Sequence, residues 1–460
     1  MQGQSEFFDP KIDWDLEVHI HGCEDGASAS TSIRVPQAKL VGGGSSTNGG
    51  TALRRFCIGS RRLSSARVRP HRRHNRSTIG PHPIQHAVPN ELGSIQAAFL
   101  KRAGEVGFKE VVDFNKTGTE GAGPSPLCRV GDQRVRAADT FIYPRRHWKP
   151  LNIMAGVMVD RITFSSSSRA TGVILTDGRS LEAMVEVTIS AGAIRSAAIL
   201  QRSGIGPEKS LRLHDIPPIV HLPVGHNLSD HPCIPIVAKP RQGSYTNTDY
   251  SLQCQVRWSS SMRPGTVDHQ LVCFSYLYAH DRDPNITSQS TLSGTASGHV
   301  AGIGCNLNKP TSSGTTFIES RNPNMLPKVT MNYLSTAADR ASPRELVRTG
   351  YGLIRSSVMQ VVLEAPLSIE DSTIASDDEL DQYCRANVTS TYHFSSSCRM
   401  ASRDKGGGGG PEWTVYGTVG LRVCNASIIP TMPASNNMWT TIMFAEWIGR
   451  SVRDGQDVGY

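Results

Sequence analysis

Seven residues inside "LVGGGSSTNGG" (Leu40 to Gly50) could do chemistry by their types alone. Gly42 to Asn48 holds three glycines, two serines, a threonine and an asparagine. Glycines let a backbone pass close to a bound group, and amides with hydroxyls supply donors to an anion. Such a loop could cradle a phosphate-bearing cofactor, and a flexible linker has the same composition. A second stretch offers the same kind of chemistry. "ATGVILTDGRSLEAMVEVTIS" (Ala170 to Ser190) reads as a strand, an Asp-Gly turn and a buried strand. "AGAIRSAAILQRSGIG" follows, small residues opening a helix that stops at Ser203-Gly204. Strand, glycine turn and helix together present helix N-terminal amides to a phosphate. The ten cysteines form no CxxC pair and have no metal spacing with histidine, so no metal site and no disulfide framework is expected.

The elements that must position these residues fall into two styles. "ELGSIQAAFLKRAGEVG" (Glu91 to Gly107) has helical spacing and a closing glycine. "LNIMAGVMVDRITF" (Leu151 to Phe164) is rich in branched residues and reads as one or two strands. From about 233 to 392, "SLQCQVRWSS", "DHQLVCFSYLYAH" and "HVAGIGCNLNKPTSSGTTFIES" read as successive strands, which predicts an antiparallel sheet and a second domain. Arg344 to Val361 reads as a helix. The C-terminal stretch then returns to strand, loop and helix.

Composition narrows the class. At 460 residues, with 38% apolar residues, 43 Gly and 27 Pro, the chain is globular, loop-rich and long enough for two domains. No run of 18 apolar residues occurs, so no membrane span is expected. The N-terminus has neither a basic region nor an apolar core, so it does not read as a secretory signal, and the expected location is cytoplasmic or one that the sequence leaves open. The net charge of +8 is local: Arg54 to Ser77 holds nine arginines and no acid, leaving the rest near −1. No aromatic residues interleave for base stacking, so nucleic acid is not an expected partner. A solvated basic loop and a segment from a mis-assigned exon are the remaining readings of that run.

Taken in order, several motifs resemble the glucose–methanol–choline (GMC) oxidoreductase family. They are "GGGSSTNGG", "GAIRSAAILQRSGIG", "LPVGHNLSDHP" (Leu222 to Pro232), "YHFSSSCRM" (Tyr392 to Met400), and "YGTVGLRVCNASIIP" with "SNNMWTTIMFAE". The resemblance implies an α/β plus α+β fold: an FAD-binding Rossmann-like domain with an antiparallel-sheet substrate domain. It implies FAD held non-covalently, with Gly43, Gly44, Ser45, Ser46, Asn48, Val159, Asn425 and Ala426 as cofactor contacts. Asparagine stands at 425 where the family usually has aspartate. It implies catalytic residues His393, at the head of its motif, and Asn436, ten residues before Glu446. The implied partners are a small-molecule alcohol and an electron acceptor, O2 or another. Histidine suits such a site because its ordinary pKa lies near neutrality. His231 in "SDHP" reads as a structural strand-end histidine contacting backbone, and Cys398 as packing.

The expected division is 1–55, 130–232 and 393–460 for FAD, 56–90 as an Arg-rich irregular segment, 91–129 as a helical connection, and 233–392 for substrate. The family's Gly-x-Gly-x-x-Gly turn is not seen; "HGCEDGASAS" has the wrong spacing. The chain thus reads as lacking the first βαβ unit. In the histidine motif Phe394 replaces a proline, and Ser396 and Ser397 replace glycine and threonine. A lyase or cyclase with a structural flavin, or an inactive truncated member, are the alternative readings.

Overall fold

The long, mostly apolar runs His269–Tyr278 and His299–Leu307 pair antiparallel and build the largest feature, an antiparallel sheet. The computed structural model describes residues 14, 16–21, 32–35, 37–39, 64–66, 82–116, 118–245, 251–278, 299–410 and 413–453. Along one row, the strand order is Leu363–Pro366, Pro232–Pro240, His299–Leu307, His269–Tyr278, Cys254–Trp258 and Gly121–Pro124. Thr389–Ser390 pairs separately with the start of Pro232–Pro240.

Five longer helices occur among the described residues: α1 (Ser94–Glu105), α2 (Gly192–Arg202), α3 (Ala337–Ile354), α4 (Asp377–Asn387) and α5 (Met438–Arg453). Helix α1 turns Ile95, Phe99 and Ala103 inward, as its spacing predicts. Helix α3 starts seven residues before the predicted Arg344. Thr336 accepts the Asp339 N–H and caps it there. The predicted tail is a separate turn, Ser357–Gln360, capped by Ser356.

Two cores result. One lies against the large sheet and joins Ile234, Ile236, Val256, Leu271 and Ile303 to Phe99, Leu346 and Ile354. The other joins Ile189, Leu200, Leu421, Val423, Trp439 and Phe444. The second core surrounds a parallel pair, Val187–Ile189 with Leu421–Val423, whose carboxyl ends lead into α2 and into Asn425-Ala426. This mixed arrangement agrees with the predicted α/β plus α+β class.

Three boundaries differ from the sequence reading. The predicted irregular stretch 56–90 contains the strands Ser64–Ala66 and His82–His86. His82 and Ile84 of the second strand are both buried. The predicted helical connection 91–129 ends as a strand, Gly121–Pro124, on the edge of the large sheet. A Cβ at Gly121 would strike the Lys109 carbonyl, and one at Gly123 the Val111 carbonyl, so glycine here permits close packing rather than breaking structure. Leu16–His19 and Ser32–Val35, predicted for the cofactor side, share a sheet with Thr315–Phe317 and Lys328–Thr330 from the predicted substrate region.

Candidate active site

Strand register brings His393 into place. Pro232 pairs with Ser390 and Cys233 with Thr389, so the residues just outside that ladder, His231 and Thr391 to His393, lie side by side. The Thr391 N–H donates to the His231 carbonyl at 3.2 Å, extending the pairing by one step. Tyr392 then takes a left-handed conformation, φ 64°, which turns the chain at His393.

Asp230 is the anchor of this turn. It is 2% exposed, and its Oδ1 accepts the backbone N–H of His231 at 2.9 Å and of His393 at 2.7 Å. Its Oδ2 accepts the hydroxyls of Tyr333 and Ser390. Burial pushes the Asp230 carboxyl upward, against the pull of these four donors.

The half-buried His393 ring meets three side chains. Nε2 lies 3.1 Å from Asn436 Nδ2. Nδ1 lies 2.9 Å from His231 Nδ1 and 3.0 Å from Thr391 Oγ1. Asn437 Nδ2 donates to the His393 carbonyl at 2.8 Å, tying the turn to the N-terminal end of α5. Desolvation pushes the His393 imidazole down to about 4. His231 is held well below its ordinary value, first by burial, then by His393, with Lys309 and Arg257 adding to the effect. Both rings are therefore neutral near neutral pH.

The sequence-predicted residues divide by location. His393 and Asn436 come together directly. Gly43, Gly44, Ser45, Ser46 and Asn48 lie outside the described residues. Val159 opens the strand Val159–Phe164, and the adjacent Met158 sulfur takes a contact from Arg195 Nη1 of α2 at 3.8 Å. Arg195 itself lies 3.4 Å over the Trp14 ring. Asn425 bonds inward: Nδ2 reaches the Ile189 carbonyl and Ser196 Oγ, and Oδ1 caps Ser427 N–H. Its side chain shapes the turn at the ends of the parallel pair, where α/β folds bind ligands. Ser396 N–H donates to the Ala426 carbonyl, Cys398 to Ser427 and Met400 to Ile428, at 3.2, 3.0 and 2.9 Å. The histidine motif thus crosses from one core, through Phe394, to the other, through Cys398. Cys398 packs there as expected.

His231 does more than the predicted backbone contact. Its Nε2 meets the Pro433 carbonyl at 2.8 Å, as a strand-end histidine would, but its other nitrogen meets His393. The two residues are 162 positions apart, a distance that spacing motifs cannot bridge.

Known proteins resemble this chain in sequence and in fold. Sequence profiles of the GMC oxidoreductase N- and C-terminal regions match residues 17–233 and 310–445. The chain belongs to the GMC oxidoreductase family. The oxygen-dependent choline dehydrogenase of Photobacterium profundum is 30% identical over 477 residues, spanning 95% of this chain and 82% of that protein. The mitochondrial choline dehydrogenase of Mus musculus is 31% identical over 382 residues, 76% of this chain and 62% of that one. A formate oxidase structure superposes with a TM-score of 0.85 at 19% identity, covering 98% of this chain and 90% of its own. Pyridoxine 4-oxidase from Mesorbium loti gives 0.84 at 20% identity, covering 96% and 89%. These two show that the fold is shared.

As a GMC oxidoreductase, the chain is an FAD-dependent enzyme. The residues around His393 fit a bound group. Asn436 Oδ1 and Ser435 Oγ are buried without a hydrogen-bond partner among the described residues. An orphaned buried polar atom costs about 1–3 kcal/mol, which a ligand donor ending at this point would remove. No helix of the described residues is long and apolar enough to cross a membrane.

Proposed function

We propose that this GMC oxidoreductase oxidises an alcohol, with His393 as the general base and Asn436 as the group that holds the reacting oxygen. The contact that carries this reading is Asn436 Nδ2 to His393 Nε2 at 3.1 Å. It marks where a hydroxyl would sit, within reach of both side chains. With its one hydrogen on Nδ1, a neutral imidazole has its lone pair on Nε2, and in that tautomer Asn436 donates to it in the protein alone. An incoming alcohol donates its O–H to that lone pair instead. Asn436 then turns its N–H to the alcohol oxygen. The O–H proton passes to Nε2 as the carbon-bound hydride leaves, so charge does not build up on the substrate. When bound, FAD supplies the two-electron acceptor for that hydride.

The surrounding residues prepare this step. Asp230 binds the backbone N–H of the base and that of its neighbour His231 through one oxygen. Burial keeps the imidazole unprotonated, hence able to accept. The cofactor would lie toward Val159, Asn425-Ala426 and the loop from Gly43 to Asn48, held without a covalent link. No histidine stands in or beside that loop to form one. The region 233–392 would then shape the pocket for the rest of the alcohol, with O2 or another acceptor restoring the flavin.

The test is anaerobic mixing of the FAD-loaded chain with a panel of primary and secondary alcohols, followed by flavin absorbance. Bleaching with formation of the aldehyde or ketone is expected. Conversion of substrate without bleaching would replace this reading with a lyase or cyclase on a flavin scaffold.

A further inference from the structure

Proton positions in the histidine pair follow from its partners. The Pro433 carbonyl oxygen accepts only, and it lies 2.8 Å from His231 Nε2. His231 Nε2 therefore carries a hydrogen. A neutral His231 then has its lone pair on Nδ1, 2.9 Å from His393 Nδ1. Two lone pairs at that distance would repel, so the intervening proton belongs to His393 Nδ1. Thr391 agrees: its hydroxyl donates to the His231 carbonyl at 3.0 Å, leaving Oγ1 free to accept from the same Nδ1 at 3.0 Å. With its one hydrogen on Nδ1, neutral His393 exposes a lone pair on Nε2, opposite the Asn436 amide donor. Donors and acceptors alternate from Asn436 through both rings to Pro433. The reverse order fails at Pro433, where a ring lone pair would face a carbonyl oxygen.

The geometry is as specific as the proton order. The rings meet at 84° with centroids 5.1 Å apart. Asp230 Oδ1 binds the backbone N–H of both residues, which fixes their separation from the main-chain side. His231 is 1% exposed.

We propose that His231 is a positioning residue that holds the His393 proton on Nδ1 and so aims the Nε2 lone pair at the substrate oxygen. This rests on the reading of His393 as the base. His231 acts through His393 and does not itself meet the alcohol.

The experiment uses the full FAD-loaded chain with isotopically labelled histidine ring nitrogens, whose resonances separate protonated from unprotonated atoms. His393 is assigned by its loss in H393Q. H231F keeps the ring volume and removes the acceptor, while H231N keeps an acceptor oxygen near the former Nδ1. The expected result is a protonated Nδ1 and an unprotonated Nε2 on His393 in the parent and in H231N. In H231F the proton moves wholly or partly to Nε2. kcat falls about 10–100-fold in H231F, the size of an orienting contact behind a functional ligand, with KM little changed. H231N recovers most of it. A parent His393 protonated on Nε2 overturns the proposal, whether or not H231F folds. So does an unmoved proton in H231F, or equal losses of kcat in both variants. Failure of the base reading is distinguishable, because it would appear as full alcohol oxidation by H393Q.

Discussion

Asn436 Nδ2 lies 3.1 Å from His393 Nε2 across 43 positions of sequence, joining the N-terminal end of α5 to the turn after Thr389–Ser390. An amide donor in this place favours the neutral ring, because it needs a lone pair to bond to. A carboxylate would do the opposite.

Asn436→Asp is therefore expected to raise the His393 pKa from about 4, since an adjacent negative charge stabilises the imidazolium. The acid limb of the kcat/KM profile moves to higher pH, and the rate near neutrality falls. A pH profile of the variant against the parent measures this. An unmoved acid limb would show that Asn436 does not face the base.

His393→Gln removes the proton acceptor while keeping a polar side chain. Loss of a positioned general base costs typically about 10²–10⁴-fold in rate. That loss is expected in kcat/KM, with the flavin absorbance of the desalted protein unchanged. Loss of bound flavin together with activity would make His393 a structural residue.

The half-buried His393 ring also links stability to pH. The folded-state pKa of His393, about 4, lies below its ordinary 6.5. Between those values the unfolded chain binds more protons, so stability rises with pH across this window. The contribution is fully present above about 6.5 and is lost as pH falls through about 4. It amounts to on the order of 2 kcal/mol after allowing for the ring's partial exposure. His231 acts in the same direction, and the raised Asp230 carboxyl in the opposite one. Urea unfolding of the parent and His393→Gln at a series of pH values isolates the His393 contribution. The variant is expected to show the flatter pH dependence. Parallel curves would contradict a His393 held neutral by desolvation.

Local periodicity carried much of this fold. His269–Tyr278 is a long, mostly apolar run that forms a strand as read, α1 repeats its apolar residues at helical spacing, and Gly204, φ 81°, stops α2 as read. The contact between His393 and Asn436 was anticipated through motifs rather than periodicity. What stayed hidden depends on distant neighbours. "GAGP" looks like a loop until Lys109 and Val111 are seen pressing on its glycines. Gly225 in "PVGHN" has φ 94°, and a Cβ there would strike the Thr316 carbonyl, a contact 91 positions away that no local rule supplies. His231 is the strand-end residue that the sequence suggests, with its Nε2 on the Pro433 carbonyl. Its contact with His393, in the turn after another strand, follows only from the register that pairs Pro232 with Ser390.

Ser396 records a local conflict of the kind a sequence can suggest and a structure can locate. It stands where the resembled motif has glycine, and its φ is 70°. A side chain in the left-handed region costs roughly 1–2 kcal/mol. Glycine removes that cost but frees the unfolded chain, which returns about 0.4–1 kcal/mol. The Ser396 hydroxyl offsets little, since its contact to Ser395 Oγ is 3.3 Å and the residue is 2% exposed. The backbone N–H bond to Ala426 survives the change. Ser396→Gly is thus expected to stabilise the protein by about 1 kcal/mol, read as a higher urea midpoint at unchanged slope. Ser397→Ala is the contrasting case, because its hydroxyl donates to the Ala193 carbonyl and no positive φ is relieved. It is expected to destabilise by about 1 kcal/mol. A lower midpoint for Ser396→Gly would show that the serine side chain, rather than the backbone conformation, dominates at this turn.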